Sequence, residues 1–206
     1  EKQFAHVVNK NDLAVLLLAI DNYNGDFAVK QALKLAPLVF LRPRNIRFLK
    51  WEFINFESKI ITIPVEEMKM GRVHKVPLST QAIKILQDMK PLTGDGDLVF
   101  MAGNRKKELS ENTLNKAIQR AKHPATGEPL GKGFSTSHGL RHTASTFLNE
   151  MGYNSDAIEL QMTHLDKDRI RRTYNKAELM LERTRMMQEW ADYLDGLKSN
   201  YQKSYF

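Results

Sequence analysis

The chain has 206 residues, no cysteine, and 31 Lys and Arg against 24 Asp and Glu, a formal charge of +7. That length suits one domain with a core of its own, and the missing cysteines exclude a disulfide scaffold, a Cys-ligated metal or iron–sulfur centre, and a thiol nucleophile. The longest apolar run, from Leu13 to Ile20, stops at Asp21, well short of the ~20 residues a membrane span requires.

In chain order, residues 12–22 form a strongly apolar helix and residues 27–40 a second with apolar positions at helical spacing. Leu41-Arg42-Pro43 punctuates that helix, and Pro43 suits the first position of a short new one over 44–50. The period then changes. Residues 53–56, 59–64 and 73–78 are short β-branched runs separated by turn residues, with Gly71 in the second turn. They predict a three-stranded antiparallel sheet. Ser79 is placed to cap a helix to Met89, Ser110 one to Lys122, Ser137 one to Met151, and Ser155 one to Thr163. Between them lie a loop at 93–97 and a long basic loop at 123–133 with two Pro and three Gly. A last amphipathic helix covers 177–194, its stripe of Leu179, Met186, Trp190 and Leu194 interrupted by Glu182 and Arg183. The expected class is α+β, mostly α, with one small antiparallel sheet. No linker divides the chain, so residues 1–206 read as a single domain with a tail at 177–206. The chain opens without Met and without a signal peptide, which predicts a domain excised from a longer protein.

Charge placement says more than the sum. Between Met101 and Arg141 there are eight Lys or Arg and three acids. Lys167, Arg169, Arg171 and Arg172 form a second cluster around Asp168. Such clusters fit either phosphate binding or a solvated helix face. His138, Arg141 and His142 share one side of a helix at i, i+3 and i+4. A zinc protease helix would need Glu after the first His, where Gly139 stands. Arg141 precedes a small, apolar helix face, and Arg42 ends an apolar helix beside a new N-terminus. Arg in such surroundings is either paired with a carboxylate or waiting for an anion. Lys69 falls at a hairpin tip, and Tyr174 follows two arginines whose charge could favour its ionised form.

The order of these pieces is distinctive. Leu41-Arg42-Pro43, then the segment from Met68 and Lys69 to Val76-Pro77-Leu78-Ser79, then Ser137-His138-Gly139-Leu140-Arg141-His142-Thr143, then Gln161-Met162-Thr163-His164, then Arg172-Thr173-Tyr174-Asn175 together resemble the catalytic domain of the tyrosine recombinases, or phage-type integrases. Residues 5–195 carry the resemblance. Within the family the chain is most similar to prophage and genomic-island integrases of enteric-type bacteria. Two positions depart: Asn45 stands where the family usually has an acidic residue supporting the active-site arginine and lysine, and Thr163 where it usually has Gly or another small residue.

The resemblance implies the tyrosine-recombinase catalytic fold and a DNA strand transfer needing no metal, cofactor or ATP. Tyr174 would attack a phosphodiester to give a 3′-phosphotyrosine and a free 5′-hydroxyl. Arg42 and Arg141 would clamp the non-bridging oxygens, each worth on the order of 10²–10³ in rate. Lys69 would protonate the leaving 5′-oxygen, His138 would position the phosphate and take the tyrosine proton, and His164 would hydrogen-bond the phosphate. Arg105, Lys106, Lys107, Lys122, Lys132, Lys167, Arg169, Arg171 and Arg172 become candidate DNA-backbone contacts. The implied partners are double-stranded attachment sites, three further copies in a tetramer on DNA, and accessory directionality and DNA-bending proteins. No membrane is involved, and the setting is the bacterial cytoplasm at the nucleoid. The family's N-terminal arm-binding and core-binding domains are expected to lie outside this chain. The alternatives are a relative that binds DNA without cleaving it, and a metalloenzyme built on His138, His142 and His164.

Overall fold

The computed structural model describes residues 4–68, 71–103, 107–164 and 176–205. Among these residues eight α-helices surround one small sheet: α1 (Lys10–Asp21), α2 (Phe27–Val39), α3 (Pro43–Arg47), α4 (Thr80–Thr93), α5 (Thr113–Arg120), α6 (Gly139–Glu150), α7 (Ser155–Gln161) and α8 (Lys176–Tyr205). The sheet has strands β1 (Ile54–Asn55), β2 (Ile60–Ile63) and β3 (His74–Pro77) in the order β1-β2-β3, both pairs antiparallel. None of the described helices is long and apolar enough to cross a membrane.

Helix α1 is central because it is apolar all round: Leu13 to Ile20 are all buried. Asn9 caps it, accepting from Asp12 N–H at 2.9 Å. Asp26 does the same for α2 through Val29 N–H at 3.1 Å. In the sheet, Ile61 lies opposite Ile54 and Val76, and Ile63 opposite His74. Ile61, Ile63 and Val76 are buried and turn that face to the helices.

The predicted elements are present with shifted ends. The strands are shorter than expected, because Phe53 lies in a 3-10 turn and Lys59 takes φ +56. Helix α4 runs past Met89 to Thr93, whose hydroxyl bonds back to Met89 O and on to Val99 O. Three of the expected serine caps are displaced. Asn112 rather than Ser110 precedes α5, and Ser110 pairs with the Thr113 hydroxyl at 2.6 Å. Ser137 is engaged by Asn115, so Thr136 Oγ1 accepts Gly139 N–H at the start of α6. Asn154, not Ser155, caps α7. The basic loop is less irregular than its composition suggests: Lys122 bridges Pro129, and Gly127 and Gly131 supply positive φ.

Helix α8 continues to Tyr205, roughly 45 Å in all, and packs on this chain's own core. Trp190 is buried between Phe40, Phe147 and Tyr193, and its indole N–H donates to Pro37 O at 2.8 Å. Leu179, Met186, Trp190 and Leu194 are buried as one stripe. The apparent gap in the stripe is filled by Arg183, which is 3 % exposed. Its guanidinium donates to Gln161 Oε1 on α7 (2.6 and 2.9 Å) and to Lys75 O on β3 (2.5 Å).

Candidate active site

Two helix ends create the site. Helix α2 stops at Phe40, which adopts the left-handed conformation (φ +57), and the chain turns through Leu41 and Arg42 into α3, with Pro43 in its first turn. Helix α7 stops at Met162, and Thr163 is left-handed too (φ +61). Left-handed Thr is costly because its β-branch crowds the backbone, so this corner is held by its surroundings.

Both arginines reach this corner. Arg42 Nη1 donates to Thr163 Oγ1 at 2.9 Å. Arg141, in the first turn of α6 and 4 % exposed, donates to Phe40 O and to Met162 O (2.7 Å), and its Nη2 lies 3.4 Å from His164 Nε2. Among the described residues neither guanidinium pairs with a carboxylate. Burial and the neighbouring Arg42 push Arg141 down to about 10, and burial with Arg72 lowers Arg42. The pair is a concentrated positive charge held mainly by neutral acceptors.

The histidines gather around it. His164 Nδ1 lies 3.2 Å from Glu159 Oε2. A proton on Nδ1 satisfies that carboxylate and leaves Nε2 as an acceptor toward Arg141. Burial and Arg141 lower the His164 pKa, against the raising effect of Glu159. His138 opens α6, with His142 5.3 Å away and Phe4 4.2 Å away, ring centre to ring centre. Burial, then the charges of Arg141, His142, Arg42 and His164, bring His138 down to about 4, so it is neutral at pH 7. His142 is exposed and stands beside His6 (5.6 Å). Among the described residues no three His, Asp or Glu side chains could hold a metal ion.

Asn45, at the position where the resemblance implies an acidic residue, lies in α3 against the start of the β2–β3 hairpin. It is buried and donates to Glu67 O at 3.0 Å, and Arg44 pairs with the Glu67 carboxylate at 3.0 Å. Together they tie the base of the β2–β3 hairpin to α3. Gly71 N–H closes on Met68 O at 3.0 Å, with φ +58 at the glycine. Lys69 and Tyr174 lie outside the described residues, as do Arg105, Lys106, Lys167, Arg169, Arg171 and Arg172. Lys107, Lys122 and Lys132 are exposed.

The sequence reading missed several groups at this site. Glu159, five residues before His164, orients its ring. Arg72 Nη2 and His74 Nε2, flanking the hairpin, are buried without a hydrogen-bond partner among the described residues. His74 is held well below its usual pKa by burial and by Arg183, Arg141, Arg72 and Arg42. A sequence cue existed for the last two, a basic residue and an imidazole two apart beside the lysine hairpin, but nothing in the sequence showed that they were buried.

Solved structures place this architecture. The XerH site-specific recombinase, bound to its difH substrate in a pre-cleavage complex, superposes with a TM-score of 0.60 at 20% identity, covering 88% of this chain and 54% of that one. The integrase from mycobacterium phage Brujita gives 0.65 at 18% identity over 91% and 58%. The fold is the tyrosine-recombinase fold. The Phage integrase family model matches residues 6–179. Prophage integrase IntZ of Escherichia coli K12 is 40% identical over 174 residues, 84% of this chain and 41% of the relative. The integrase of Shigella phage Sf6 is 34% identical over 179 residues, 86% and 44%. The chain belongs to the phage integrase family, and it spans less than half the length of the curated relatives it matches.

Proposed function

We propose that this chain is the strand-cleaving and rejoining part of a site-specific DNA recombinase that integrates and excises a prophage or genomic island. The observation that carries this reading is the convergence of Arg42 and Arg141 on the corner at residues 162–164, where, among the described residues, neither guanidinium is paired with a carboxylate. Two such guanidiniums form a site for one phosphodiester.

The chemistry follows from the charges. Tyr174 Oη attacks phosphorus, the bond to the 5′-oxygen breaks, and a 3′-phosphotyrosine forms. The tyrosine proton passes to His138 and the leaving oxygen takes one from Lys69. Attack by a 5′-hydroxyl runs the steps backward, so the ester energy is retained and ATP is not consumed. Arg42 and Arg141 act most strongly as charge grows on the non-bridging oxygens. His138, neutral and with a pKa of about 4 in the free protein, is a weak base there. An anion between the arginines cancels part of their repulsion and raises its basicity when substrate binds. His164 Nε2, which faces Arg141, steadies that guanidinium and lies at the edge of the same anion site.

Lys107, Lys122 and Lys132, with Arg105, Lys106, Lys167, Arg169, Arg171 and Arg172, supply backbone contacts that weaken with salt. The partner is double-stranded DNA carrying the attachment sites, bound by four copies with accessory directionality and bending proteins. Recombination by the whole protein belongs to the longer chain that its relatives possess.

A nicked suicide duplex tests the reading. The protein should form a covalent adduct that survives denaturing gels, and Tyr174→Phe should form none. An adduct with Tyr174→Phe overturns the assignment. The second reading, DNA binding without cleavage, rests on Asn45. Its amide donates to a carbonyl that an unprotonated carboxylate could not serve, so the departure fits a structural role. Salt-sensitive binding with no adduct from the parent would favour the second reading.

A further inference from the structure

The chain ahead of α1 lies across the start of α6, where His138 and Arg141 sit. Ala5 O accepts from Thr136 N–H (3.1 Å) and from Thr136 Oγ1 (3.3 Å), and the same hydroxyl accepts Gly139 N–H at 2.9 Å. Val7 exchanges two bonds with the Thr143 hydroxyl, N–H donating at 3.2 Å and O accepting at 2.9 Å, and its side chain is buried. The approach is too close for any side chain at 139. A Cβ there would stand 2.0 Å from Ala5 O and 3.0 Å from Ala5 C, both backbone atoms. Gly139 is therefore the residue that admits the segment.

The segment delivers Phe4 to His138. Their rings are 4.2 Å apart and tilted by 35°, and Phe4 stands 6.4 Å from His142. Phe4 remains 36 % exposed, so it is not mainly a core residue. Among the described residues its ring contacts are with His138 and His142.

We propose that Phe4 is a positioning residue for His138: the segment at residues 4–8, admitted by Gly139, fixes the imidazole and shields it from water. The catalytic meaning of that placement rests on the reading of His138 given above; the placement itself does not. The groups facing His138 are Arg141 and His142 on its own helix, Arg42 at the α2–α3 corner and His164 after α7, with His6 beside His142 on the N-terminal segment. All are cationic or become so on protonation. Phe4 adds dehydration, which disfavours the imidazolium in the same direction. Removing Phe4 releases only that part, so His138 should move part of the way from about 4 toward 6.5.

The experiment follows the His138 ring by NMR in the 206-residue chain with isotopically labelled histidine, the signal assigned by its loss in His138→Gln. Phe4→Ala should raise the titration midpoint by about one pH unit, and Phe4→Tyr should leave it near the parent value. Gly139→Ala, which pushes the segment away, should raise it as Phe4→Ala does. A folded Phe4→Ala with an unchanged midpoint overturns the proposal, whatever Gly139→Ala does, because a purely structural contact alters thermal stability without moving this titration. The nicked-duplex assay then separates the two readings. If the parent forms no adduct, strand cleavage fails while the titration still decides the role of Phe4. If Phe4→Ala forms adduct with the parent's pH profile and midpoint, the positioning role fails while strand cleavage stands.

Discussion

Arg183 and Gln161 make an unusual pair, because a buried cation is held by a neutral amide. Gln161 is 0 % exposed; its Oε1 accepts two bonds from Arg183, and its Nε2 donates to Val39 O at 3.1 Å. The cost of keeping Arg183 charged can be scaled from its pKa, which burial lowers from the ordinary arginine value to about 10, on the order of 3 kcal/mol. Arg183→Met leaves Gln161 Oε1 and Lys75 O unsatisfied, at ~1–3 kcal/mol each, but also abolishes that desolvation cost. The two nearly offset, and the net loss should be about 1 kcal/mol. Gln161→Leu does the opposite. It strips two of the three bonds from a charge that stays buried, at ~1.5–3 kcal/mol per bond, and orphans Val39 O, for a loss of at least about 4 kcal/mol. Removing the neutral partner should thus hurt more than removing the cation, and the double variant should be about 3 kcal/mol more stable than Gln161→Leu alone. Urea unfolding measures all three differences. For a chain this long each kcal/mol moves the melting point by ~2–4 °C, so thermal scans report the same order. A double variant less stable than Gln161→Leu would refute the reasoning.

Thr163→Val keeps the β-branch at φ +61 but loses the Arg42 bond, and should cost about 2 kcal/mol. Thr163→Gly loses the same bond and relieves the backbone, and should stay within about 1 kcal/mol of the parent; denaturation in which Val is the milder change would contradict this. With His138 at about 4 when folded and near 6.5 when unfolded, the unfolded chain binds the extra proton between those values. His138 therefore draws stability down as pH falls from 6.5 to 4 and contributes no further change below that. Adduct formation at sub-saturating DNA, which reports the free enzyme, should hold from pH 7 to about 5 and fall below it. A midpoint at or above 6.5 in that profile would show that His138 is charged where we hold it neutral.

Much of the architecture was legible because it depends on local signals. The apolar run of α1 marked a helix, Pro43 suited the start of another, and the change to β-branched runs after residue 52 marked the sheet. Element ends were less legible, since competing local partners decide them. Ser137 looks like a cap, yet Asn115, from another helix, occupies it and leaves the task to Thr136. Arg183 looked like a break in an apolar stripe. Its burial depends on Gln161 and Lys75, which are distant in sequence and come together only when α7, α8 and β3 pack.

The arginines show why identity and arrangement are separately readable. Arg42 and Arg141 stood out as charges in apolar surroundings, but an ion pair and an anion site looked alike in sequence. Among the described residues Arg141 is hydrogen-bonded by backbone carbonyls rather than by a carboxylate. Arg141 is held by Phe40 O and Met162 O, which are the terminal carbonyls of α2 and α7. Helix C-termini carry roughly half a negative charge from aligned peptides. That is enough to seat a guanidinium, and too little to neutralise it as an aspartate would. An anion entering this corner would meet a cation already desolvated and oriented, with most of its charge unspent. Phe40, which carries the first of these carbonyls, and Thr163, which follows the second, are both left-handed and end their helices there, with the two oxygens facing the arginine. A β-branched residue at φ +61 is accordingly tolerable at Thr163, because its hydroxyl holds the second guanidinium in the same corner.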